Sequence, residues 1–323
     1  MSPTTGPQAP LTFDQGVREG VPLPVDLPDD LDSAPSLGAE SLIWKFFGDW
    51  RTQLFGFQRV AGTENSIEQL AQGTEDHSVF LTDTIGRAKR TGPPILSAVY
   101  SEDPYGWGRK VRDFHRHIKG TMADGSRYHA LNPELFYWGH ATFVDQVLYT
   151  TDTFIRRLSE AEKAQIFEES KTWYELYGVS ARSQPQTYEE FCAYWESMLE
   201  RFRPNPTIRY ATGYLRKGVP GPRWMPKVVW RFLSAPLNAY LQTVVVGTVP
   251  PQMRQICDLP WDDRKERSFQ RFAKVVRALN PLFNRLPVRV LYTPWAAAGW
   301  KRVGIDPRRL HNRPVSTRQK VAR

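Results

Sequence analysis

The stretch Leu131-Asn132-Pro133-Glu134-Leu135-Phe136-Tyr137-Trp138-Gly139-His140-Ala141-Thr142-Phe143-Val144-Asp145 does most to limit what this chain can fold into. Asn132 can act as a helix N-cap. Pro133 then falls at the first helical position, where its missing N–H does no harm. His140 lies about two turns into that helix, with Phe136, Tyr137, Phe143 and Val144 on its face. An imidazole so placed has few polar neighbours. It is either a hydrogen-bonded core residue or a binder of something flat, apolar and electrophilic.

Apolar residues recur at helical spacing through most of the chain. Ser41 to Arg59 predicts a helix with an aromatic face, Thr63 to Gly73 a shorter one, and Asp103-Pro104 opens one that runs to Gly120. Further helices are expected at Ser159 to Tyr177, Thr187 to Phe202, Pro226 to Val246 and Asp262 to Leu279, the first two started by capping boxes. Glu75-Asp76-His77-Ser78, Thr84-Ile85-Gly86-Arg87 and Ala123-Asp124-Gly125-Ser126 read as turns. No alternating strand series and no internal repeat are present, so the class is all-α. Residues 1–37 read as an extended arm, 38–303 as a single helical domain and 304–323 as a basic tail.

Charge and cysteine usage narrow the setting. The net charge of +9 equals the balance from Arg285 onward, where ten Lys or Arg face one acid, Asp306. Such a tail is a solvated end or a contact for an anionic membrane surface. No zinc finger, RNA-recognition signature or basic zipper accompanies it, so nucleic acid is not the expected partner. Cys192 and Cys257 sit in apolar helical patterns and read as buried free thiols of a reducing compartment. The longest apolar run, Ala239 to Val249, is too short to span a bilayer and reads as a buried helix. With no secretory leader pattern, the expectation is a cytoplasmic protein.

Candidate chemistry centres on few residues. His140 has no second ligand at helical spacing, and His115 and His117 point to different faces. A multi-histidine metal site is thus disfavoured, whereas haem needs one helical histidine in an apolar pocket. Gly139 and Ala141 could let a planar group approach, or could serve close helix packing. Gly108, Val111, His115, Ile118 and Met122 form one stripe, flanked by Arg109, Arg112, Arg116 and Lys119. His115 fits a pocket facing an iron ligand or a core bond to a carbonyl, and His77 fits a turn. No GxSxG elbow, P-loop or dinucleotide-binding glycine pattern is present.

Several blocks, in order and spacing, resemble the mpaB-type oxygenases, which include the rubber oxygenases or latex clearing proteins. They are Trp50 to Gln58, Glu75 to Phe80, Gly86 to Thr91, Val111 to Gly120, Tyr128 to Leu135 and Tyr137-Trp138-Gly139-His140-Ala141. The resemblance implies a globin-like helical bundle enclosing a haem b pocket. It implies His140 as the iron ligand, Phe136, Gly139, Phe143 and Val144 around the cofactor, and Arg112 and His115 on the opposite, catalytic side. The implied reaction joins dioxygen to an apolar, isoprenoid or lipid-like substrate. The chain departs from the family after Gln58, where Val60-Ala61-Gly62-Thr63 replaces a frequent Ala-His-Pro stretch. Alternatives are a helical lipid- or partner-binding protein with His140 in its core, and a non-haem iron enzyme using His77, His115 and His140.

Overall fold

The structure, a computed structural model, describes residues 37–78 and 84–310, without the side chains of 84–85 and 87–90. The expected arm up to residue 36, the tail from residue 311, the Val79-Phe80 part of one family block and the side chains of Arg87 to Arg90 in another lie outside it. The described chain is mostly helical, with one short hairpin.

The helix of His140, here α6, spans Pro133–Thr150 and starts as its sequence predicts: the Asn132 side chain accepts from Glu134 N at 2.9 Å, and Pro133 occupies the first turn. Nearly every residue of α6 is buried. A helix apolar on all sides is stable only inside a layer of others. It packs on α2, Trp50–Glu64, and on α7, Glu160–Glu175. Against α2 the contacts are polar as well as apolar. The Gln146 amide donates to Thr52 O at 3.0 Å, and the Trp138 indole donates to Thr63 O at 3.3 Å.

The expected helix from Ser41 to Arg59 is two helices, α1 (Leu42–Phe46) and α2. Gly48 stands at the break because its backbone is used by distant partners. Its N–H donates to the Tyr100 hydroxyl at 2.7 Å, and its carbonyl accepts from Thr293 N at 2.9 Å. Asp49 then caps α2. The predicted aromatic face divides accordingly: Trp44, Phe46 and Phe47 are buried, while Leu54 and Phe57 are exposed.

The next helix, α3, covers Glu68–His77 rather than Thr63 to Gly73, so Glu75 to His77 are helical and not a turn. Thr84 to Arg87 also begins a helix, α4 (Thr84–Tyr100). Burial of Ile95, Leu96, Ala98, Val99 and Tyr100 in its second half outweighs the local turn signal. After α5, Pro104–Asp113, the backbone tightens into short turns instead of continuing to Gly120. Lys119–Thr121 (β1) pairs antiparallel with Arg127–His129 (β2) across the predicted Ala123 to Ser126 turn. The hairpin is held from outside by the Tyr128 hydroxyl, which donates to Asp76 at 2.5 Å.

The later helices are α8 (Tyr188–Leu199), α9 (Pro206–Lys217), α10 (Lys227–Leu233) and α11 (Ala235–Tyr240). The expected helix from Pro226 to Val246 is thus interrupted, with Pro236 in the first turn of α11 and a π-type turn at Leu241–Val245. Of the apolar run Ala239 to Val249, Val244, Val246 and Val249 are buried. Asp263–Ala278 forms a long helix where one was predicted. Cys257 is buried as expected, but Cys192 is exposed, because it points away from the buried Phe191 and Trp195 of α8.

Candidate functional site

α5, α6 and α7 bring three predicted site residues into one aromatic cluster. The ring of His115, two residues beyond α5, meets Phe136 of α6 edge-on at 5.5 Å. Phe136 meets Tyr177 at 5.4 Å, and Tyr177 meets His140 at 5.8 Å. His140 is also flanked by Trp173 at 5.1 Å, Tyr174 at 5.2 Å and Tyr137 at 6.2 Å. Phe143 adjoins the same group through Trp173 at 6.1 Å. Val144 is wholly buried. Gly139 lies to the side, and a Cβ there would meet nothing within 4 Å.

Tyr177, Tyr174 and Trp173 complete the cluster but were not singled out in the sequence. Their signal was present: three large rings at the end of the helix expected from Ser159 to Tyr177.

The two histidines differ in which nitrogen carries the lone pair. His140 is 3% exposed, and its Nε2 lies 3.0 Å from the carbonyl of Ser170 on α7. A carbonyl only accepts, so that nitrogen bears the proton. Nδ1 holds the lone pair and has no hydrogen-bond partner. Burial pushes the imidazole pKa down to about 3, against the opposing pull of the Ser170 carbonyl, so the ring is neutral.

His115 is half-buried, and its Nδ1 lies 2.8 Å from the carbonyl of Val111, one turn back. The proton is therefore on Nδ1 and the lone pair on Nε2. A ligand imidazole commonly gives one N–H to a carbonyl and the other nitrogen to the metal. Both rings meet the first half of that pattern. A metal–nitrogen bond is ~2 Å long. At that distance a macrocycle on the Nδ1 of His140 would run into the ring's own Cβ and its helix. Nε2 of His115 lies across the ring from Cβ, so its own side chain makes no such clash.

Arg112, in the last turn of α5, is 4% exposed and pairs with Asp113 at 2.9 Å. It stands three residues before His115, which lies just past the end of the helix. His77 ends α3, and its Nε2 lies 2.9 Å from Lys119 O. Among the described residues no group of three or more His, Cys, Asp or Glu could hold a metal ion. His77, His115 and His140 therefore do not form a three-histidine iron centre.

Residues 44–278 match the family described as ER-bound oxygenase mpaB/B'/Rubber oxygenase, catalytic domain. The chain belongs to this family. The mpaB/rubber oxygenase resemblance of its sequence blocks is thereby upheld, and an oxygenase is the activity the family name carries. The chain is also similar to uncharacterized protein Mb2261 of Mycobacterium bovis and uncharacterized protein Rv2237 of Mycobacterium tuberculosis. Each is 23% identical over 198 residues, covering 61% of this chain and 74% of the relative. No solved structure matches. Among the described residues, no helix is long and apolar enough to cross a membrane.

Proposed function

We propose that this mpaB-type protein is a haem b-dependent oxygenase acting with dioxygen on an apolar substrate, and that His115 rather than His140 is the iron ligand. The observation that carries the reading is the bond between His115 Nδ1 and the Val111 carbonyl, which sets the ligating tautomer. Phe136, edge-on to that ring, restricts its rotation. When bound, haem would supply the dioxygen chemistry, and the protein would supply orientation and dryness.

Arg112, buried and paired with Asp113, holds its cation on the His115 side. His140 belongs to the wall behind: neutral, hydrogen-bonded to α7 and holding Tyr177 and Trp173 in place. The rings of Phe136, Tyr174 and Tyr177 exclude water and favour an apolar substrate.

An absorption spectrum of the purified protein, with and without dithionite, tests the cofactor. A Soret band is expected in the wild type. It should be lost or strongly displaced in His115→Ala and kept in folded His140→Ala. Colourless, iron-free protein from cells supplied with a haem precursor would end the reading. The reverse pattern in the two variants would return the ligand role to His140.

A further inference from the structure

Residues 201–257 contain nine Lys or Arg and no Asp or Glu. Within this stretch α10 and α11 have no buried residue. Yet Trp224 is 80% exposed, Phe232 71%, Val228 67% and Leu233 62%. Single exposed apolar residues are ordinary, but a contiguous group on successive helical turns marks a contact surface. Val228 and Phe232 are one turn apart, and Val229, Leu233 and Leu237 follow the adjoining line.

The α10–α11 segment is anchored from its other side. The Trp230 indole donates to Val219 O at 2.8 Å, and Val219 N donates to the Asn238 side chain at 2.9 Å. Gly221 lies against the Trp230 ring, where a Cβ would come within 2.7 Å. Trp230 is thus spent on attachment, and the remaining apolar side chains face outward. Exposed Arg209, Arg216, Lys217, Arg223, Lys227 and Arg231 lie in the same segment.

We propose that the α10–α11 segment docks on an anionic lipid bilayer. Such a surface offers hydrocarbon for Trp224, Val228, Phe232 and Leu233, and negative headgroups for the surrounding cations. The complete lack of acids across the segment matches that single sign of charge. Nucleic acid would satisfy the cations and leave the apolar side chains in water. The proposal does not depend on the cofactor and is separate from any contact by the basic tail.

Co-sedimentation of the full chain with vesicles tests it. The protein should pellet with phosphatidylcholine vesicles containing phosphatidylserine, and more weakly with phosphatidylcholine alone or at high salt. Trp224→Ser with Phe232→Ser should keep the circular dichroism and melting temperature and weaken binding at least about tenfold. Charge reversal of Arg318 and Lys320 in the tail should leave binding in place. The proposal falls if the wild type stays in the supernatant or if the Trp224/Phe232 variant binds as the wild type does. It also falls if the chain is a dimer that this variant dissociates, since a second copy would then cover this segment.

Discussion

Arg59 and Asp145 form a two-point ion pair inside the contact between α2 and α6. Arg59 Nη2 lies 2.9 Å from Asp145 Oδ1, and Arg59 Nε donates to Oδ2. Its Nη1 donates to Thr248 O at 2.6 Å, and the guanidinium sits 3.9 Å from the Tyr149 ring. Each nitrogen of the buried cation donates a hydrogen bond. The pair thus sets the register of two helices that shape the core around the candidate site.

Removing one partner should therefore cost far more than removing both. Asp145→Asn strands a buried guanidinium and should destabilise the protein by ~3–5 kcal/mol. Arg59→Met with Asp145→Leu should cost less than the single change. Urea unfolding of the set, read as a double-mutant cycle, checks this. A loss below about 1 kcal/mol in Asp145→Asn would show that the pair is dispensable.

His140 should make stability depend on pH. Its folded pKa is pushed down to about 3 from an ordinary 6.5, burial being the cause. Between those values the unfolded chain binds a proton that the folded chain refuses. The stability it contributes is complete above pH 6.5 and is lost as pH falls toward 3, at up to ~1.4 kcal/mol per pH unit. The difference between wild type and His140→Phe in denaturant midpoint should shrink steadily on acidification. A constant difference would mean that the ring is not held neutral.

Loss of the two imidazoles should separate packing from ligation. His140→Ala opens a hole among four aromatic rings and leaves the Ser170 carbonyl without its donor, so a loss of ~2–5 kcal/mol is expected. His115→Ala, at a half-buried position, should cost less than about 1.5 kcal/mol in cofactor-free protein. Thermal unfolding of cofactor-free samples is the measurement, and equal losses would contradict the assignment of His140 to the core.

The start of α7 offers a control in which local sequence suffices. Ser159 Oγ accepts from Glu162 N at 3.3 Å, and Glu162 accepts from Ser159 N at 2.9 Å. Glu162 also pairs with Arg156 at 2.6 Å. Ser159→Ala should cost ~1 kcal/mol, and Glu162→Ala should cost more, since Arg156 loses its carboxylate. Calorimetry of both variants settles the order.

The start of α6 at Asn132-Pro133, the box at Ser159 and the turn at Ala123 to Ser126 were legible in the sequence, because each rests on bonds within a few residues. So was the all-α class, which follows from the spacing of apolar groups, and so were the family blocks. The break at Gly48 and the anchoring of the β1–β2 hairpin came from partners far along the chain, Tyr100, Thr293 and Asp76. The contrast between His140 and His115 rests on which carbonyl each ring meets. Spacing places both rings near apolar neighbours, but which nitrogen keeps its lone pair depends on a carbonyl. For His140 that carbonyl is on another helix, whereas for His115 it is that of Val111, four residues back in the chain.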